Sequence, residues 1–156
     1  MKRGVGLFII LLFAALAQGA AASVVINSQD WIDVYSGMLY ARHTGQSSLF
    51  LTSQRYVALL PKILPSGDSP LIIESERAPY SINLAGTLQR QGYHPTIIYS
   101  TGGLGLNLAL AKTLNKTRFI IIDPTYGFNA VSVAPYAITT QATVLFADDK
   151  NIDRIF

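Results

Sequence analysis

Val25–Ser53 reads VINSQDWIDVYSGMLYARHTGQSSLFLTS, and Ile121–Asp149, 96 residues later, reads IIDPTYGFNAVSVAPYAITTQATVLFADD; the two stretches align without a gap. Ser36 meets Ser132, Tyr40 meets Tyr136, Ala41 meets Ala137, Thr44 meets Thr140, Leu49 meets Leu145 and Phe50 meets Phe146. Ile26 meets Ile122, Val25 meets Ile121, Asn27 meets Asp123, Asp33 meets Asn129 and Ser47 meets Thr143. A repeat at fixed offset constrains architecture before any local reading does.

Working outward, six short apolar runs start about 24 residues apart: Val24–Ile26, Ser48–Leu51, Leu71–Ile73, Thr96–Tyr99, Phe119–Ile122 and Thr143–Phe146. Each is continuous rather than alternating, the pattern of a strand covered on both faces, and each interval holds one helix and two loops. Helices are predicted over 31–41, 54–60, 81–90, 104–114 and 127–137. Ser28 or Asp30 can cap the first and Gly45 can end it, while Pro135 is expected to kink or shorten the last. The fold class is therefore α/β: repeated βα units forming a mainly parallel sheet with helices on both faces, in the Rossmann-like or flavodoxin-like manner. Because 96 residues is close to four βα units, the two copies are expected at equivalent places in one continuous sheet. Beyond the sixth run, Asp148 or Asp149 can cap a further helix opening with Ile152, Ile155 and Phe156. The expectation is self-association, completion by another chain or continuation of the architecture, with docking of the last turn on the sheet as the simple alternative.

The 156 residues fit one domain, and half of them are apolar, which excludes disorder by composition. Lys2 and Arg3 precede an apolar run from Gly4 to Ala17, followed by Ala20-Ala21-Ala22. This is the layout of a secretory signal peptide spanning residues 1–22, or of a membrane anchor over 4–22 if it is not cleaved. The α/β domain then occupies residues 23–156 and is expected to be secreted or displayed at the cell surface. Lys and Arg total 12 and Asp and Glu nine; without Lys2 and Arg3 the balance is ten against nine. No nucleic-acid partner is indicated. The chain has no cysteine, which removes disulfides, thiolate nucleophiles and thiolate metal sites together. Asn115-Lys116-Thr117 is a glycosylation sequon.

Ligands of open parallel sheets bind beyond the carboxyl ends of the strands. Those ends carry Asn27, Thr52, Glu74, Ser100, Asp123 and Asp148. Capping of the following helices is the favoured role for such residues. The rival is a cation site of Glu74, Asp123 and Asp148, which would suit a metal-dependent hydrolase or phosphotransferase. Thr101-Gly102-Gly103-Leu104-Gly105 stands where backbone amides can cradle an anion, but its spacing is not that of a dinucleotide fingerprint, and a tight turn is expected instead. No cofactor is therefore predicted. The two histidines, His43 and His94, belong to no nucleophile or zinc motif. Trp31 lies on a helix that must also pack, whereas Tyr56, Tyr80, Tyr93 and Tyr126 are candidates for surface contact.

Asp123-Pro124-Thr125-Tyr126-Gly127-Phe128-Asn129-Ala130-Val131-Ser132, the Ala134-Pro135-Tyr136-Ala137 run and the strand Thr143–Asp148 together resemble the cell wall-binding repeat 2 family. Asp30–Ala41 followed by Ser48–Thr52 is similar to the same pattern, with Asp33 in the acidic position. The resemblance implies a non-enzymatic α/β module of a surface protein, held non-covalently on an envelope polymer or assembled with surface-layer proteins. It directs attention to Trp31, Asp33, Tyr126 and Asn129 as polymer-binding residues, with no catalytic or metal-binding residue.

Overall fold

The computed structural model describes residues 22–149 and 152–154; apart from Ala22, the expected leader lies outside the described residues. The elements are β1 (Val24–Asn27), α1 (Trp31–Thr44), β2 (Ser48–Phe50), a 3₁₀ helix (Gln54–Leu59) running into the short α2 (Leu60–Ile63), β3 (Leu71–Ser75), α3 (Leu84–Arg90), β4 (Thr96–Ser100), α4 (Gly103–Leu114), β5 (Phe119–Ile122), α5 (Gly127–Thr140) and β6 (Thr143–Phe146), with a 3₁₀ turn at Ile152–Arg154. All strand pairs are parallel. The six predicted strands are present to within a residue or two, and the fold is α/β as expected.

The sheet is not continuous. Four strands form one sheet in the order β2-β1-β3-β4, and β5 and β6 form a second. The 96-residue recurrence survives this division in detail. α1 and α5 are both 14 residues long and superpose at that offset. Val25 pairs with Leu49 as Ile121 pairs with Leu145, and Ile26 pairs with Phe50 as Ile122 pairs with Phe146. Helix ends match as well: Gln46 N–H donates to Ala41 O at 2.8 Å, and Ala142 N–H donates to Ala137 O at 2.9 Å. Thr44 and Thr140 each return a hydroxyl bond to the carbonyl of the tyrosine four residues back, Tyr40 and Tyr136. Gly45 and Gln141 both take the left-handed conformation that ends such helices. The repeated unit is thus strand, helix and parallel strand, carried twice.

Three apolar clusters hold the layers together, and burial of each large side chain in them contributes roughly 1.5–3 kcal/mol. Val25 and Ile72 meet Leu60, Leu64, Leu84 and Leu88 on one face of the four-stranded sheet. Val24, Ile26 and Ile73 meet Ala41, Leu106 and Leu110 on the other, so helices cover both faces. A third cluster joins Leu39 of α1 to Ala130, Ala137, Val144 and Phe146 of the second unit. α1 therefore lies between the two sheets, which explains its weak one-sided patterning. Trp31 and Tyr35 each pack on Phe146 in a T-shaped arrangement, with ring centroids 5.3 and 5.4 Å apart. His43 of α1 reaches Ala142 O at 3.1 Å, and burial lowers its pKa.

Four local expectations are corrected. Pro135 neither shortens nor ends α5, which continues to Thr140. The carbonyl its ring deprives of a partner belongs to Val131, an exposed residue, so water can satisfy it. The segment after β2 is mostly 3₁₀ rather than α-helical, and α3 starts at Leu84 rather than 81. Tyr93 is buried in the first cluster and is no surface contact.

Gly37 shows why the copies differ where they do. A Cβ there would stand 2.7 Å from Ile26 Cγ1 and 2.9 Å from Ile73 Cδ1. The corresponding residue in the second unit is Val133, where among the described residues no third strand supplies an equivalent of Ile73. Gly37→Ala gains about 1 kcal/mol of helix propensity but incurs about 1–3 kcal/mol of overpacking. A net loss of stability of about 1 kcal/mol is expected in urea unfolding, and a stabilised variant would show that α1 is not pressed onto β1 and β3.

Candidate functional site

In the order β2-β1-β3-β4 the chain reverses direction beside β1, so the crevice for a ligand should open between the carboxyl ends of β1 and β3. The protein fills it with its own loop. Asn27 Nδ2 donates to Ser81 O at 2.7 Å and to Glu74 Oε2 at 3.1 Å, while Ser81 N–H donates to Asn27 Oδ1 at 3.0 Å. Gln29 N–H adds a bond to Ala78 O. Asn27 and Glu74, candidates at strand ends, thus pin residues 76–83 across the sheet.

The glycine turn before α4 is closed in the same way. Asp30 caps α1 through Ile32 N–H at 2.8 Å, and its other oxygen accepts from Gly103 N–H at 3.2 Å. A carboxylate of the chain itself therefore stands where the N-terminus of α4 could hold an anion. Gly103 is required by close approach, since a Cβ would stand 2.5 Å from Ile32 Cβ.

Asp33, expected to contact polymer, is instead 0% exposed. Ser28 donates to its Oδ2 at 2.6 Å and Ser100 to its Oδ1 at 2.7 Å. The carboxylate ties the ends of β1 and β4 to the first turn of α1, and it has no access to a surface ligand. Desolvation raises its pKa above the ordinary 3.8, the two serine bonds oppose the rise, and the nearby Asp30 charge adds to it.

The metal site proposed at strand ends is not assembled. Glu74 ends β3 in one sheet, whereas Asp123 and Asp148 follow the strands of the other. Among the described residues, no group of three His, Cys, Asp or Glu side chains is placed to hold a metal ion. Asp123 is exposed and forms a local turn with Thr125, whose amide donates to it at 2.7 Å and whose hydroxyl donates at 2.5 Å; these bonds lower its pKa.

A trough runs between α1 and α5. One stretch, about 370 Å³, is walled by Trp31, Phe50, Tyr80 and Met38, with Ser28, Gln29 and Thr52 at its polar end. A second, about 440 Å³, runs on past Arg42, Ser48, Ala134 and Ile138, and the two share Tyr35, Met38 and Val131. Trp31 is 39% exposed and leans on Gly127, so it combines the packing role with a free ring face. The Tyr35 hydroxyl is buried without a hydrogen-bond partner, and desolvation pushes its pKa up to about 12.

Of the other expected contacts, Tyr126 is exposed and stacked on Phe128 at 5.5 Å near the start of α5, and Asn129, half-buried, follows in the first turn. Tyr56 is exposed away from the trough lining, and Asn115 is an exposed left-handed residue ending α4. Phe50 and Tyr35 were missed as site residues; the sequence signal was their place on the repeated strand and helix, where each reads equally as core. Comparison with known proteins found no matching family model, no matching curated protein and no matching solved structure.

The folded Asp33 binds its proton more tightly than the unfolded chain, so its contribution to stability falls as pH rises from 3.8 through the raised value. Asn, the residue the second unit carries at the equivalent place, removes that slope. The stability difference between Asp33→Asn and wild type should therefore grow with pH above 3.8 and then level off, as read from urea midpoints. A pH-independent difference would contradict burial of the charge.

Proposed function

We propose that this chain is an exported, non-enzymatic binding domain that attaches to an envelope polymer at the cell surface. The observation that carries the reading is the trough. It is open, elongated and walled by Trp31, Phe50 and Tyr80, with Ser28, Gln29 and Thr52 among its polar lining. Aromatic faces beside polar rims suit a chain of rings with hydroxyl groups, such as a glycan. Tyr126 on Phe128, with Asn129, extends the contact surface past the start of α5. The chemistry needed for catalysis has no comparable support: the sheet crevice is filled by residues 76–83, and the candidate carboxylates are dispersed. Weak contacts of this kind gain strength when several modules bind one polymer. The resemblance of both repeated segments to the cell wall-binding repeat 2 family points the same way, with Asp33 reassigned from contact to scaffold.

Trp31 is the sole tryptophan in the chain, so its fluorescence reports the trough directly. Titration with solubilised envelope glycan should shift its emission and saturate, and Phe50→Ala should weaken binding about tenfold while leaving the melting transition in place. Unchanged Trp31 emission, together with no co-sedimentation with purified envelope, would overturn the proposal.

A further inference from the structure

Among the described residues β5 has one neighbour, β6. Thr143 N–H donates to Arg118 O at 2.9 Å and Ala147 N–H to Ile122 O at 3.0 Å. Residues 118, 120 and 122 thus address β6, and the backbone groups of Phe119 and Ile121 point to the opposite, unpaired edge. The equivalent edge in the first unit is taken: Leu71 N–H donates to Ser23 O at 2.8 Å as β3 pairs with β1. The far edge of β6 is also closed, by Asn107 of α4, which donates to Val144 O and accepts from Phe146 N–H, each at 3.0 Å.

The open edge is apolar. Phe119 is 50% and Ile121 43% exposed, and Tyr136 of α5, 65% exposed, lines the hollow beside Phe119. No lysine, proline or charged side chain interrupts Phe119–Ile122, the devices by which edge strands are kept from pairing. Its two ends carry opposite charges, Arg118 before the strand and Asp123 after it.

We propose that this edge joins a second copy of the chain, β5 against β5, antiparallel about a two-fold axis. Such an axis is the closed arrangement open to a self-complementary edge. Phe119 of each copy stands opposite Ile121 of the other, which doubles the apolar patch. In this register Arg118 of each copy stands opposite Ile122 of the other and Asp123 opposite Thr117, so the basic start of each strand lies toward the acidic end of its partner without a direct side-chain pair, whereas parallel pairing would bring like ends together. The two small sheets merge into one four-stranded sheet, β6-β5-β5-β6, with its outer edges already sealed by Asn107 from each copy. The trough between α1 and α5 lies away from this edge, so a dimer would present two troughs to one polymer.

The test is sedimentation equilibrium of the full chain, in parallel with a form starting at Ala22 that retains every described strand and helix. A reversible monomer–dimer equilibrium is expected. Ile121→Lys should weaken it about tenfold or more by placing a charge in the paired edge, with the circular dichroism spectrum retained, whereas Ile82→Lys, at an exposed apolar residue distant in sequence and outside both repeats, should leave it unchanged. Because the chain has no cysteine, register can be read separately. A mixture of Phe119→Cys and Ile121→Cys chains should form a disulfide-linked pair on oxidation more readily than either variant alone, since paired Cα atoms lie about 5.5 Å apart. A monomer at every concentration would overturn the proposal, as would a dimer indifferent to Ile121→Lys. A monomer that instead takes up an acyl-chain detergent in the slot formed by α4, Phe119 and Ile121 would also overturn it.

Discussion

One buried amide carries the junction between the two repeated units. Asn107 Nδ2 donates to Ser36 Oγ at 3.1 Å and to Val144 O at 3.0 Å, and its Oδ1 accepts from Phe146 N–H at 3.0 Å. The side chain imitates a neighbouring strand along β6 and, in the same stroke, fastens that strand to α1 through Ser36. Each of these groups is buried, so loss of the amide would leave a strand donor and a strand acceptor without partners, at about 1–3 kcal/mol apiece. Packing around it is apolar, and the low local dielectric strengthens the bonds that are made.

Placement of α1 follows from this constraint. A helix that serves two sheets cannot have one apolar stripe. Its Ala41 and Gly37 face the large sheet, where Gly37 admits Ile26 and Ile73, while Leu39, Ile32 and Tyr35 belong to the cluster of the small one. Trp31 is left at the rim, half over Gly127 and half in the trough. The candidate binding surface is thus a product of the junction: α1 and α5 are equivalent helices, and the space between them exists because the second unit is docked on the first. The loop over the sheet crevice and the carboxylate at the glycine turn remove the two sites that α/β architecture ordinarily offers.

Much of the fold was legible in the sequence. The continuous apolar runs marked strands covered on both faces, and the 96-residue offset marked two units whose helix lengths, pairing registers and helix ends match in the structure. The division into two sheets was not legible, because even spacing of strands says nothing about which of them pair. Asn107 left only a faint sign, a lone amide among the leucines of α4. Asp33 misled for a related reason. An acidic residue in the first turn of a helix reads as surface, and only the approach of Ser28 and Ser100 from two strand ends turns it inward. Its counterpart Asn129, with no such partners, remains half-buried beside the exposed aromatics.

If the amide and the shared helix join the units as described, the small sheet should have no independent stability. Native-state hydrogen exchange tests this most directly, by comparing the amides of Ile122 and Phe146 with those of Val25 and Ile73 across a denaturant series. The account predicts that all four converge on one opening free energy, that of global unfolding. Exchange of Ile122 and Phe146 through a separate, lower-energy opening, with Val25 and Ile73 still protected, would contradict it.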